Sequence, residues 1–276
     1  MGQLADELVV VRDLGRGAHT RISLARHPKT LALYCRKSVL AGAPNFQSQL
    51  RQLRSEYDVG HDNRHPALRQ TLEFGLVRRF FRVAEAYVIL QYVDGTPLVE
   101  YGPRATLDRL VRIFWHVADG LVDLHHRGFV HADLKPHNIL ITADERPVLI
   151  DFGQSCPIWH SKARIQGTAD FIAPEQVSCE PLDPRTDVFG LGATMHLVLL
   201  GKPVTTELNA TSVRKGGRIT LDRRSAEPAA EPRTLDPALK KLIDDSLLPD
   251  RAARPANMTA VRDRLELCLR RPQRTA

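Results

Sequence analysis

Nowhere does this sequence reach the run of about eighteen apolar residues that a membrane-spanning helix needs. Its first residues, MGQLADELVV, lack a basic start, an apolar core and a small-residue cleavage site, so no secretory leader is expected. Gly2 falls where a myristoylated chain begins, but Ala5-Asp6 offers no Ser or Thr where that pattern needs one. Cysteine is scarce: Cys35, Cys156, Cys179 and Cys268 are scattered, with no CxxC pair. Such spacing is that of reduced thiols in a cytoplasm, and excludes a disulfide framework or a zinc site. Internal repeats and low-complexity runs are also missing. The formal charge of +7 comes mostly from arginine, with a cluster at LRRPQR near the end. Basic and aromatic residues do not interleave, so this charge reads as solvated surface and no nucleic-acid partner is expected.

What is present is an ordinary globular composition, 43% hydrophobic and 26% charged, over 276 residues. That length holds one large domain or two lobes. ELVVVRDL, TRISLARH and LALYCRKSV are short β-rich runs separated by turns, as in antiparallel hairpins. NFQSQLRQLRSEYDVG follows with Phe46, Leu50 and Leu53 on one face, an amphipathic helix. LRQTLEFGLV and AYVILQYV return to strand character. After DGTP the pattern turns helical, with Leu107, Leu110, Phe114, Val117, Leu121 and Leu124 at three- and four-residue steps. TDVFGLGATMHLVLLG is apolar on all sides and is expected to be buried all round. LDPALKKLIDDSLL and RPANMTAVRDRLELCLRR predict two more helices, and residues 223–237 an exposed loop. A small β-rich lobe with one helix, then a larger helical lobe, is an α+β arrangement, and a cleft between lobes is a usual ligand site.

Four polar clusters fall along this order. LGRGAHTRI places Gly15 and Gly17 in a turn where backbone can approach phosphate without a Cβ in the way. Lys37 ends a strand, and Glu56 lies midway along the amphipathic helix. HADLKPHNIL crowds Asp133, Lys135 and Asn138 into one loop around Pro136. In VLIDFG an apolar strand delivers Asp151, which either caps the next turn or binds a cation. Together these are the groups that phosphoryl transfer demands, since that reaction needs positioning and charge neutralisation more than covalent work.

The ordered set of motifs resembles a eukaryotic-type Ser/Thr protein kinase catalytic domain, from Leu8 to Leu269. LGRGAHTRI resembles the glycine-rich loop, CRK the strand carrying the ATP-binding lysine, HADLKPHN the catalytic loop, and DFG the metal motif. GTADFIAPE resembles the end of the activation segment, DVFGLG the buried supporting helix, and DRAARP supplies Arg254 to pair with Glu175. The resemblance implies two lobes, residues 1–92 and 93–276, with ATP and Mg2+ (or Mn2+) as cofactors. By it, Asp133 is the base, Lys135 stabilises the moving phosphoryl, Lys37 and Glu56 pair at the phosphates, and Asn138 and Asp151 hold metal. Leu14, Ile22 and Cys35 would roof the adenine, Leu140 would floor it, and Gln91–Val93 would form the hinge behind Leu90. Thr168, Glu175, Asp187 and Arg254 are implied as structural support. Lys135 and Thr168 point to Ser/Thr acceptors in protein substrates.

The departures from that pattern carry expectations of their own. Thr20 replaces the third loop glycine. Gly60 stands where the family has a large apolar side chain packing the helix to the DFG phenylalanine, so a looser helix or an activating partner is expected. Residues 205–235 show no amphipathic helix where the family docks one. Ala132 replaces the arginine that waits for an activation-loop phosphate, which implies a kinase active without that switch. The alternatives are a pseudokinase scaffold on the same fold and a small-molecule phosphotransferase. A cytoplasmic chain without membrane insertion is expected, and the excess of arginine over lysine points to a GC-rich bacterium.

Overall fold

The structure is a computed structural model describing residues 4–16, 20–206 and 232–270. Gly17, most of the loop expected at 223–237, and most of residues 205–235, where no amphipathic helix is expected, lie outside the described residues. The chain divides into two compact units, Met1–Asp94 with Ile150–Ser155, and Gly95–Leu149 with Cys156–Ala276. Among the described residues no helix is long and apolar enough to cross a membrane.

The first unit begins with a short helix, α1 (Leu4–Glu7), and is built on a five-stranded antiparallel sheet. Its strands are β1 (Val9–Arg16), β2 (Arg21–Arg26), β3 (Leu33–Leu40), β4 (Thr71–Arg79) and β5 (Arg82–Gln91), in the order β1-β2-β3-β5-β4. Alternation sends Cys35 and Val39 of β3, and Ala86, Val88 and Leu90 of β5, into one apolar layer. Helix α2 (Phe46–Gly60) covers that layer with Phe46, Leu50, Leu53 and Tyr57, the stripe its 3.6-residue period predicts.

Gly60, the last residue of α2, lies close against Thr71. A Cβ there would lie 2.9 Å from Thr71 Cβ and 3.1 Å from Thr71 N, with Thr71 Oγ1 closer still. The bare glycine lets Thr71 donate to the Glu56 carbonyl at 2.9 Å. Ser55 adds hydrogen bonds to the carbonyls of Phe152 (3.2 Å) and Ser155 (2.7 Å). Polar ties stand here where the resemblance sets a large apolar side chain.

The second unit opens with β6 (Gly95–Pro97), α3 (Leu98–Tyr101) and the long α4 (Leu107–His126), which Thr106 caps by accepting from Arg109 N. Leu110, Phe114, Val117, Leu121 and Leu124 of α4 are buried. Short strands β7 (Phe129–Val130), β8 (Ile139–Thr142) and β9 (Pro147–Leu149) bracket the loop 131–138, and β10 (Cys156–Pro157) pairs with β7. After α5 (Pro174–Val177) comes α6 (Pro184–Leu200), buried on nearly every side as its uniform apolarity requires. Asp183 and Pro184 start it, and Gly201 at φ 68° ends it in the left-handed region. Helices α7 (Pro237–Ser246) and α8 (Met258–Arg270) follow among the described residues, α7 capped by Asp236.

Candidate active site

In the first unit, β3 presents Lys37 to the middle of α2. Its Nζ donates to Glu56 Oε2 at 3.0 Å and to Asp151 Oδ1 at 2.8 Å. Glu56 is completely buried, and an ionised carboxylate in that position needs several partners to offset desolvation. Oε1 accepts from Arg69 Nη2 at 2.7 Å and from the Phe152 backbone N–H at 3.2 Å. Burial alone would lower the pKa of Lys37; Asp151 and Glu56 outweigh it and hold the ammonium above its ordinary value. Partial desolvation would raise Asp151, yet the charge and hydrogen bond of Lys37 hold it well below the usual carboxylate range. Both are therefore ionised at neutral pH.

Of the two fates open to Asp151, the turn cap is formed. At φ 66° it accepts from Gly153 N at 3.4 Å and starts the turn Phe152–Gln154. Its side chain is still 42% exposed. A capping carboxylate with that access can also take a cation. Leu14 and Ile22 pack half-buried against the layer containing Cys35, and Gly15 pairs in register with Ile22. Burial pushes the Cys35 thiol up, against the opposing charge of Arg69, so it is a packing group of low reactivity. Gln91 ends β5 and its side-chain oxygen takes the Gln70 N–H at 3.3 Å; Val93 follows, half-buried, and Leu90 is fully buried.

In the second unit, the loop 131–138 hangs from one buried carboxylate. Asp187 accepts from His131 N (2.8 Å), from Ala132 N (2.9 Å) and contacts His125 Nε2 (2.8 Å). Burial raises its pKa, but the His125 hydrogen bond and charge, aided by His131, bring it below the usual value. The loop then turns with Ala132 at φ 62° and projects Asp133. Asp133 Oδ1 accepts from Thr168 Oγ1 at 3.0 Å, and Oδ2 lies 3.1 Å from Lys135 Nζ. Lys135 donates to Thr168 Oγ1 at 2.8 Å. Asn138 Nδ2 reaches the Asp133 carbonyl at 2.9 Å, and Leu140 follows on β8. One carboxylate thus faces an ammonium, a hydroxyl and an amide.

Farther along, Arg254 clasps Glu175 through Nη1 (2.8 Å) and Nη2 (2.9 Å). The guanidinium also donates to the carbonyls of Arg185, Leu248 and Pro249 and lies over the Phe189 ring. A buried bidentate pair with its remaining donors satisfied is the form in which burial of charge is tolerated.

Sequence reasoning missed Arg69, Thr71, Ser55, His125 and Gln176. Arg69 had a signal: a charge set among apolar residues in PALRQTLEF, where a strand enters the core. Gln176 had none, since its Nε2 bonds to the carbonyls of Ala132 (2.9 Å) and Gln166 (3.3 Å) only because folding brings them together.

A lysine held by a glutamate in one unit, and a loop aspartate beside lysine, asparagine and threonine in the other, define a protein kinase domain. The chain belongs to that family: the Protein kinase domain model matches residues 8–265. It is similar to the serine/threonine-protein kinase PknB of Mycobacterium tuberculosis, 29% identical over 223 residues, covering 76% of this chain and 35% of PknB. It is also similar to a probable serine/threonine-protein kinase of Streptomyces coelicolor, 28% identical over 69% of this chain and 29% of the relative. An Aurora kinase of Yarrowia lipolytica is 27% identical over 87% of this chain and 67% of that protein. The chain thus spans about a third of the length of the bacterial relatives.

Proposed function

We propose that this chain is an ATP-dependent protein kinase that transfers the γ-phosphoryl group to serine or threonine hydroxyls of protein substrates. The observation that carries the reading is the Asp133 carboxylate, bracketed by Lys135 and Thr168. In that setting Asp133 orients the acceptor hydroxyl and accepts its proton, while Lys135 offsets charge on the phosphoryl oxygens. Lys37, kept cationic by Glu56 and Asp151, serves the phosphates of ATP. Asp151 in the first unit and Asn138 in the second each offer an oxygen donor of the kind that a hard cation such as Mg2+ or Mn2+ would take. The bound cation would neutralise phosphate charge. Leu14, Gly15, Gly17, Ile22, Cys35, Gln91, Val93 and Leu140 are assigned to the nucleotide.

The Ala132 methyl packs with Val130, Cys156 and Leu182, so residue 132 itself offers no cation to a phosphate, while half-buried Lys162 lies near Cys156, Asp133 and Asp187. The segment after it is held by its own backbone instead. Trp159 N donates to Leu182 O (2.6 Å), Leu182 N to His160 O (3.1 Å), and Ser161 bridges to Pro181. This reading is of a kinase competent without activation-segment phosphorylation. Gly60 alone would call for an activating partner; Thr71, Arg69 and Ser55 supply the hold within the chain. The four cysteines are free thiols, and a cytoplasmic location belongs to the same reading.

The test is transfer from labelled ATP to a generic protein substrate by wild type and by Asp133→Asn. Wild-type transfer, reduced by on the order of a hundred- to a thousandfold in the variant, is expected. Nucleotide binding without transfer in the wild type would leave a scaffold and overturn the proposal; transfer only to aminoglycosides or choline would overturn the protein substrate.

A further inference from the structure

The tip of the β4–β5 hairpin breaks two rules at once. Phe80 and Phe81 form its turn, and their side chains are 96% and 98% exposed. Arg79 and Arg82 pair across the last rung, so the turn is two residues long. Both phenylalanines have positive φ, 45° and 65°. A two-residue turn of that kind is the geometry Asn-Gly adopts readily and a bulky side chain resists. The fold therefore holds strain at a point where it also leaves two aromatic rings in water.

The surroundings indicate what the rings are for. Arg78, Arg79 and Arg82 flank them and are exposed. Among the described residues none of the three is paired with a carboxylate. Register sets Leu40 and Val77 on either side of Glu85 beneath the tip, and both are exposed. Glu85 is itself neutralised by Arg36 at 2.8 Å. An apolar point, an apolar flank and a collar of free cations thus occupy one end of the sheet.

We infer that this tip is a wedge for an anionic membrane surface. The phenyl rings enter the boundary between headgroups and acyl chains, and the three guanidinium groups bind the phosphates around them. The tip is convex, so it offers no pocket for a soluble ligand. A free phosphate would satisfy the arginines but give the rings no reason to face water. Each arginine contributes about fivefold to partitioning onto an anionic surface, so the collar supplies on the order of a hundredfold. A single wedge of this size binds reversibly. This inference does not depend on the catalytic reading.

The experiment is co-sedimentation of the 276-residue chain with vesicles of phosphatidylcholine alone and of equimolar phosphatidylcholine and phosphatidylglycerol. Wild type should sediment with the anionic vesicles, and on the order of a hundredfold more weakly with the neutral ones. The double variant Phe80→Asn/Phe81→Gly, which suits the turn, should stay in the supernatant while melting at or above the wild-type temperature. Wild type that remains soluble with both vesicles overturns the proposal, and a tip that serves a protein partner would give that result. Equal binding to both vesicles, or sedimentation of the double variant like wild type, overturns it too.

Discussion

Replacing Gly60 with alanine should destabilise this protein, although helix propensity taken alone argues the reverse. In a helix an alanine is favoured over glycine by about 1 kcal/mol. Here the added methyl meets Thr71, with its Cβ at 2.9 Å and Oγ1 nearer. Overpacking of this kind costs about 1–3 kcal/mol. Displacing Thr71 also breaks its 2.9 Å hydrogen bond to the Glu56 carbonyl, worth about 1 kcal/mol. The balance is a loss of about 1–3 kcal/mol, read as a lower urea midpoint. Because the bond secures the residue that pairs with Lys37, kcat/KM for ATP should fall as well. Thr71→Ala removes Oγ1 and leaves the 2.9 Å contact at Cβ, so the double variant should recover part of the loss, with a coupling of about 1 kcal/mol. A Gly60→Ala protein more stable than wild type would refute the reasoning. So would strict additivity of the two changes.

Arg69→Met should cost about 3–5 kcal/mol, since it leaves the buried Glu56 short of a charge partner, and the cost should shrink in a Glu56→Gln background. Urea unfolding of the four proteins checks this; a loss under about 0.5 kcal/mol would fit a surface residue and sink it. Phosphatase treatment and Ser161→Ala should leave the rate of transfer nearly unchanged, because Ala132 offers no cation for a phosphate to meet. The pH dependence follows from Asp187, whose folded pKa lies below its unfolded value. A depressed carboxylate contributes stability that is fully present above the unfolded value, about 3.9, and is lost as pH falls through the folded one. Asp187→Asn should therefore lower the urea midpoint at neutral pH and flatten its fall below about pH 4. Parallel acid profiles for the two proteins would count against it.

Much of this fold was legible because period and composition act locally. The alternation in β3 and β5, the stripe of α2 and α4, and the uniform apolarity of α6 each name an element without reference to the rest of the chain. The candidate site could be proposed from sequence for a related reason: Asp133, Lys135, Asn138 and Asp151 fall in short polar loops, whereas Lys37 on β3 and Glu56 on α2 are singled out only by the resemblance. What escaped were pairings made only by folding. Residues 150–155 follow β9 in sequence yet pack with the first unit, through Ser55, Glu56 and Lys37. Gly60 viewed by itself is a missing side chain; its meaning lies in Thr71, a strand away. The Phe80-Phe81 turn escaped because turn signals are sought among Gly, Asn, Asp and Pro, and here the strand pairing overrides the turn residues.

Ala132 and Gly60 belong to one physical argument. Each stands where the resemblance leads one to expect a contact that can be made or unmade: an arginine awaiting phosphate, and an apolar residue on a helix that can swing. In each place the chain has a contact that needs no signal. The Ala132 methyl is packed by Cys156 and Leu182, and its carbonyl is held by Gln176. Glu56 is held through both carboxylate oxygens, by Lys37 at one and by Arg69 and the Phe152 N–H at the other, and its carbonyl is tied to Thr71. To rotate α2 away would strand a fully buried carboxylate and the Arg69 guanidinium together, a cost of several kcal/mol that no surface event readily supplies. A kinase domain built this way has little free energy available for an on–off transition of its catalytic groups. On the proposed reading, control acts on access: which substrates come within reach, and where the chain resides. That gives the strained aromatic tip of the hairpin a purpose the catalytic groups do not provide, since a reversible membrane wedge changes local substrate concentration without touching Lys37 or Asp133.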